Sequence, residues 1–204
     1  MKKGESTEFL LKEFDQADSE RIRLRAEAIQ RLNYFLTLTS AILGGLVFFG
    51  QSGQIQTVIY VLIAALVFLS VIGWQTFRYI IIRDINSDRM LRAQGRIRRY
   101  FVDNDPQIKD YLMWQTHDEP SGYITKNDSA IRRTSQTVMA LLLSLLTSLL
   151  ISLFNTQQTT LIPIGIILFV VLLFALEFYA QSQFREAVKS ARKQVLHPKR
   201  DETK

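Results

Sequence analysis

Four arginines carry the chain's most suggestive chemistry. Arg89, Arg92, Arg96 and Arg99 fall at i, i+3, i+7 and i+10, so on a helix they share one face, with Arg98 to one side. A guanidinium holds a phosphate or carboxylate through paired N–H donors. Such a face suits an anionic lipid headgroup, a nucleotide or a nucleic acid. The same arginines can also serve only to set membrane orientation, since each basic residue beside an anionic leaflet contributes about 1 kcal/mol of attraction.

Other candidates for chemistry are sparse. His117, Asp118 and Glu119 are adjacent, but three neighbours in one loop cannot all face a single ion, and the second histidine, His197, lies far along the chain. No Gly-rich phosphate loop, nucleophile elbow or His-Glu zinc helix occurs. The chain has no cysteine, which excludes disulfides, thiol catalysis and Cys-ligated metals. No metal and no cofactor is expected. Glu177 is the one carboxylate inside an apolar stretch, and an intramembrane acid is a functional candidate by default. Its depth argues for a structural role, within reach of headgroups or Arg185.

The elements that must carry these residues are set by the distribution of charge. The 204 residues are 48% apolar and 22% charged with a net charge of +6, averages that would suit a soluble domain. The charges are not spread evenly. No Asp, Glu, Lys or Arg occurs from Leu32 to Phe77 or from Thr134 to Leu176, runs of 46 and 43 residues. A crossing helix needs about 20 apolar residues, and each run is about twice that with a polar break at its middle. The breaks are Gln51-Ser52-Gly53-Gln54 and Asn155-Thr156-Gln157-Gln158-Thr159-Thr160. Backbone groups in lipid must be satisfied within helices, so the expected fold is an all-α integral membrane protein. It has four transmembrane helices arranged as two hairpins, with spans near 33–50, 57–77, 136–154 and 161–179. This excludes a disordered chain, a disulfide scaffold and a water-soluble single domain.

All 25 Lys and Arg residues lie in three segments: seven in 1–31, eleven in 78–133 and seven in 185–204. The short turns hold none. The positive-inside rule then makes both termini and the central loop cytoplasmic, the membrane in question being a bacterial inner membrane. A cleavable signal is not expected, because hydrophilic residues precede the first span. Asn127-Asp128-Ser129 matches a glycosylation pattern but reads as a helix cap on this side of the membrane.

Cytoplasmic helical extensions complete the layout. Residues 1–32 form an amphipathic helix with Leu10, Phe14, Ala17, Leu24 and Ala28 on one stripe, interrupted by Arg21. Residues 78–135 hold the basic helix over 83–101. Asp105-Pro106 then caps a short helix expected to reach about Gln115, with a loop over 117–122 after it. Residues 180–204 extend the fourth span with Phe184, Val188, Ala191 and Val195 on one stripe. Within the spans, Ala140, Ser144, Ser148 and Ser152 recur every four residues, as do Thr37, Ala41 and Gly45. Small faces let helices approach closely, either inside a four-helix bundle or at a subunit interface or pore.

In layout, a few spans joined to a compact cytoplasmic part, the chain resembles the small membrane effectors and sensors of prokaryotic conflict systems. The expected function is that of a non-enzymatic polytopic membrane protein whose cytoplasmic helices bind a partner protein, a second copy or an anionic ligand. The alternative is an oligomeric pore or sensor gated through the arginine face, and the third reading is a membrane-lipid enzyme.

Overall fold

The computed structural model describes residues 3–50, 55–126, 129–154 and 161–198. Among the described residues the chain is all helical. Its elements are α1 (Lys3–Gly50), α2 (Ile55–Asn104), a 3₁₀ helix (Pro106–Tyr111), α3 (Gly122–Thr125), α4 (Ala130–Phe154) and α5 (Leu161–Arg192). Three helices are long and apolar enough to cross a membrane, over Ile59–Asn104, Ala130–Ser152 and Pro163–Arg192. The polar breaks at 51–54 and 155–160 where turns are expected, residues 127–128 of the expected cap, and side chains near the C-terminal end of the first expected span lie outside the described residues.

The helices are longer than the spans. α1 and α2 have 48 and 50 residues, more than twice what a bilayer requires. The basic segment is thus the direct continuation of the second expected span and not a separate helix. Neither helix contains a proline, and short-range ion pairs line the polar half of α1: Lys12–Glu8, Arg21–Asp18 and Arg23–Glu20. α2 stops at Asn104 because Pro106 supplies no N–H and disfavours a helical residue before it. Asp105 is accordingly extended (φ −144°, ψ 94°), and its carboxylate accepts from the Gln107 N–H. The capped helix after it is 3₁₀ and ends at Tyr111, short of the expected Gln115. None of its residues is buried, and a helix without a buried face has little to sustain it.

The contacts divide the chain into two compact units. One comprises Met1–Glu27, Ile82–Ser129 and Ser182–Lys204; the other comprises Ala28–Ile81 and Ala130–Gln181. We call them the polar and apolar units.

The apolar unit has a core of Ala28, Leu32 and Phe35 from α1, Leu66, Leu69 and Ile80 from α2, and Leu142 from α4. The spacing within each helix is three, four or a whole number of turns, which puts these residues on one face. Packing is tight at buried Gly73. A Cβ there would lie 2.8 Å from the Met139 sulfur and 2.9 Å from Phe35 Cζ, so α1 and α4 press on α2 where it has no side chain. Trp74 and Phe77 then stack on Tyr179 of α5 at centroid distances of 5.0 and 6.4 Å. A side chain at 73 would have to displace Met139 and Phe35. Gly73→Val should lower the melting temperature of the detergent-solubilised protein by roughly 5 °C, as expected for overpacking. Tryptophan fluorescence reports it, and an unchanged melting temperature would contradict this packing.

Candidate functional site

The arginine face does not present four equivalent cations. Arg92 Nε donates to Asp88 Oδ2 at 3.0 Å, with both side chains nearly fully buried. Arg96 Nε donates to Asp118 Oδ2 at 2.7 Å. Arg99 pairs with Asp103 through two contacts of 2.8 and 3.1 Å. Arg89 is exposed, its guanidinium 3.5 Å from the Asn86 side-chain oxygen. Arg98, beside the face, stacks on Phe14 at 5.0 Å and donates to the Gln115 carbonyl.

Asp118 organises the region. It is fully buried and gathers donors from two distant parts of the chain. Besides Arg96, its carboxylate accepts from the N–H groups of Leu196 (2.9 Å) and His197 (2.8 Å). Its own N–H donates to the His197 carbonyl at 3.2 Å, and Arg96 also donates to the Gln194 carbonyl. Burial opposes ionisation of this carboxyl. The Leu196 N–H, the Arg96 guanidinium and the His197 N–H together outweigh burial and hold it below its ordinary value.

The loop lies flat on α2. Asp88 Oδ1 accepts from the Ser121 N–H at 2.8 Å, and a Cβ at Gly95 would sit 2.3 Å from the His117 carbonyl oxygen. Residues 88, 95 and 96 thus meet 121, 117 and 118 in order. The His117-Asp118-Glu119 triplet is therefore a docking element. Among the described residues no group of three or more His, Asp or Glu could hold a metal ion. On the other side of α2, the Gln94 amide donates to Asp18 at 3.2 Å. That bond and Arg21 hold the Asp18 carboxyl below its ordinary value despite partial burial.

Between the polar halves of α2 and α5 lies a cleft of about 400 Å³. Ile85, Asp88, Arg89 and Arg92 form one wall; Ala187, Ser190, Ala191 and Gln194 form the other. The two alanines make the room. Two cations three residues apart, a hydroxyl and an amide surround it, while Asp88 is occupied by its own donors. Guanidinium forks with neutral hydrogen-bonding groups suit a phosphate or carboxylate. Its side chains can bind and orient such a group.

The remaining sequence candidates lie in the apolar unit. Glu177 pairs with Arg132 at 3.1 Å, not with Arg185, and Arg132 is fully buried. Gln136 accepts from Arg132 at 3.2 Å and donates to the Leu173 carbonyl at 3.0 Å, and Gln181 donates to Glu177 at 3.1 Å. Of the stripe on α4, Ala140 and Ser144 are buried. Ser148 and Ser152 border an apolar cavity of about 290 Å³. The α1 stripe faces outward: Thr37 and Ala41 are exposed and Gly45 half-buried. A Cβ at Gly44 or Gly45 would meet nothing within 4 Å.

Sequence reasoning missed Asp88, Ser190 and Gln194, and weighed Asp118 only as part of an adjacent His-Asp-Glu triplet. A local signal existed for Asp88 only, four residues before Arg92. No family model matches the chain, and no curated protein or solved structure is detectably similar to it.

The depressed Asp118 carboxyl fixes the sign of a pH effect. The ionised form is the one bound in the fold, so its contribution is complete above the ordinary aspartate value near 3.9. It is lost as pH falls through the lower, folded value. Asp118→Asn should remove it at neutral pH, at a cost of about 2–4 kcal/mol. In hydrogen exchange, the Leu196 and His197 amides should lose protection in that variant. Gly95→Ala, which lifts the loop, should produce the same change, and protection retained in both would contradict the docking.

Proposed function

We propose that the chain is a four-span protein of a bacterial inner membrane, with both termini and the central segment cytoplasmic, and that its polar unit is a binding module for a phosphate-bearing ligand. The apolar unit is its anchor. The observation that carries this reading is the cleft between α2 and α5, where Arg89 and Arg92 stand opposite Ser190 and Gln194. Membrane placement is supported by three helices of sufficient length and apolarity and by the uncharged run around the first expected span. Orientation is supported by the confinement of all 25 basic residues to one set of segments. The role is recognition and not catalysis, and the ligand is a phosphate group presented from the cytoplasm.

Arg89 is the residue to change, because it is exposed and outside the buried ion pairs. Calorimetric titration of the detergent-solubilised protein with inorganic phosphate should show binding that Arg89→Ala weakens about tenfold without lowering the melting temperature. Equal affinity in the variant, or no binding by the native protein, would overturn the assignment.

A second reading, self-association, is favoured by the outward small-residue face of α1. Thr37, Ala41 and Gly44 lie exposed in the apolar unit, and small residues are what allow helices in lipid to approach closely. Native mass spectrometry should show a homo-oligomer that Ala41→Leu shifts toward monomer. A monomeric native protein would dispose of this reading and of a pore.

A further inference from the structure

The polar half of α5 has a second surface. Arg185, Lys189 and Arg192, with Lys193 one residue past the helix end, fall at i, i+4, i+7 and i+8 and share one face. The Lys193 N–H still donates to the Lys189 carbonyl at 3.4 Å, which continues the turn. All four residues are exposed. Arg185, Lys189 and Arg192 lie two residues from Ala187, Ala191 and Ser190 of the cleft wall, about 200° round the helix, so this face turns away from the cleft. Elsewhere in the polar unit arginines are supplied with carboxylates: Asp18 for Arg21, Glu20 for Arg23, Asp88 for Arg92, Asp118 for Arg96 and Asp103 for Arg99. Among the described residues no carboxylate pairs with the four cations of this face. Like charges four residues apart oppose a helix, and Arg185–Lys189 and Lys189–Lys193 are two such pairs. The helix dipole favours cations in the last turn, which accounts for Lys189 and Arg192 but not for Arg185. Membrane orientation needs basic residues on this side of the bilayer but does not need them on one helix face.

We infer that the Arg185–Lys193 face docks an acidic segment of a cytoplasmic protein. Charge complementarity sets the sign of the partner. Carboxylates at i, i+4 and i+7 on a partner helix would meet the face in register. Leu196, 67% exposed and three residues beyond Lys193, adds an apolar contact that a protein can use and a phosphate backbone cannot. Phe184 is the one Phe, Tyr or Trp between 182 and 198, and it is buried, so no aromatic face is offered for bases to stack on. Glu186, exposed beside Arg185, would repel a nucleic-acid strand. The inference takes the membrane placement from the reading above. There the fourth span ends near 179. For a helix leaving the membrane upright at 1.5 Å per residue, Lys189 and Arg192 lie about 15 and 20 Å further on, past a headgroup layer about 6 Å deep. The chain's own bilayer is therefore not the occupant.

The test is fluorescence anisotropy of a fluorescein-labelled oligoglutamate titrated with the detergent-solubilised full chain, beside a labelled duplex DNA of equal charge. The oligoglutamate should bind more tightly than the DNA. Lys189→Glu should weaken that binding about tenfold with the melting temperature retained. Arg25→Glu changes the net charge equally, at an exposed position on α1, and should leave binding unchanged. Arg89→Ala should also leave it unchanged, because Arg89 lines the cleft. No binding by the native protein, equal losses in Lys189→Glu and Arg25→Glu, or a loss in Arg89→Ala would overturn the inference. Tighter capture of the DNA would give the face to a nucleic acid, and a drop in oligomeric mass caused by Lys189→Glu would give it to a second copy; either result overturns it too. Alkaline extraction of cell membranes separates the two levels. Protein released into the soluble fraction sinks the membrane placement and this inference with it. Protein that stays with the membrane but fails the oligoglutamate measurements sinks this inference alone.

Discussion

The polar unit depends on one buried carboxylate. Asp118 draws a guanidinium from α2 and two backbone N–H groups from the end of the chain onto a single pair of oxygens. Removing such a group from water is costly unless its bonds are made inside, so loop, helix and tail must come together or the carboxylate cannot be buried. The same bonds hold the residues just after α5 against α2. The far wall of the Arg89–Arg92 cleft is the last two turns of α5 and Gln194, so the cleft has a defined width only while Asp118 is ligated. The shape of the cleft thus follows from the satisfaction of a charge that does not itself line it.

The apolar unit solves the same problem differently. Arg132 is completely buried, and its position beside an uncharged run leaves few partners. Glu177 supplies the countercharge from another helix, while Gln136 bonds to Arg132 and also satisfies the Leu173 carbonyl. A charge in such surroundings is tolerated when paired and hydrogen-bonded. Glu177, the acid expected within a span, is thereby explained as the partner of a buried arginine.

Much of the helical layout was legible in the sequence. The uncharged runs mark apolar helix. The stripe through Ala17, Leu24 and Ala28 is buried as its spacing demands, as are Phe184 and Ala191. Asp105-Pro106 marks the end of α2 by chain chemistry alone. The form of the segment beyond that break was not legible, because the difference between a 3₁₀ turn and a longer α-helix rests on burial that the sequence does not encode locally. The arginine face was legible as a face, but its occupants were not. Arg96 and Arg132 find carboxylates 22 and 45 residues away, and no periodicity reports a contact at that distance. Likewise a four-residue repeat of small side chains defines a helix face without saying which way it turns. On α4 the buried part of the stripe, Ala140 and Ser144, is used inside the protomer, whereas on α1 the stripe is presented outward.

The central claim is that the α2–α5 cleft, walled by the Asp118 contacts, receives a phosphate group. Hydrogen–deuterium exchange on the intact detergent-solubilised protein, with and without saturating inorganic phosphate, tests it most directly. The account predicts slowed exchange confined to residues 85–96 and 187–197, with the core segments of the apolar unit unchanged. Phosphate-dependent protection elsewhere, or none in those two segments, would contradict it.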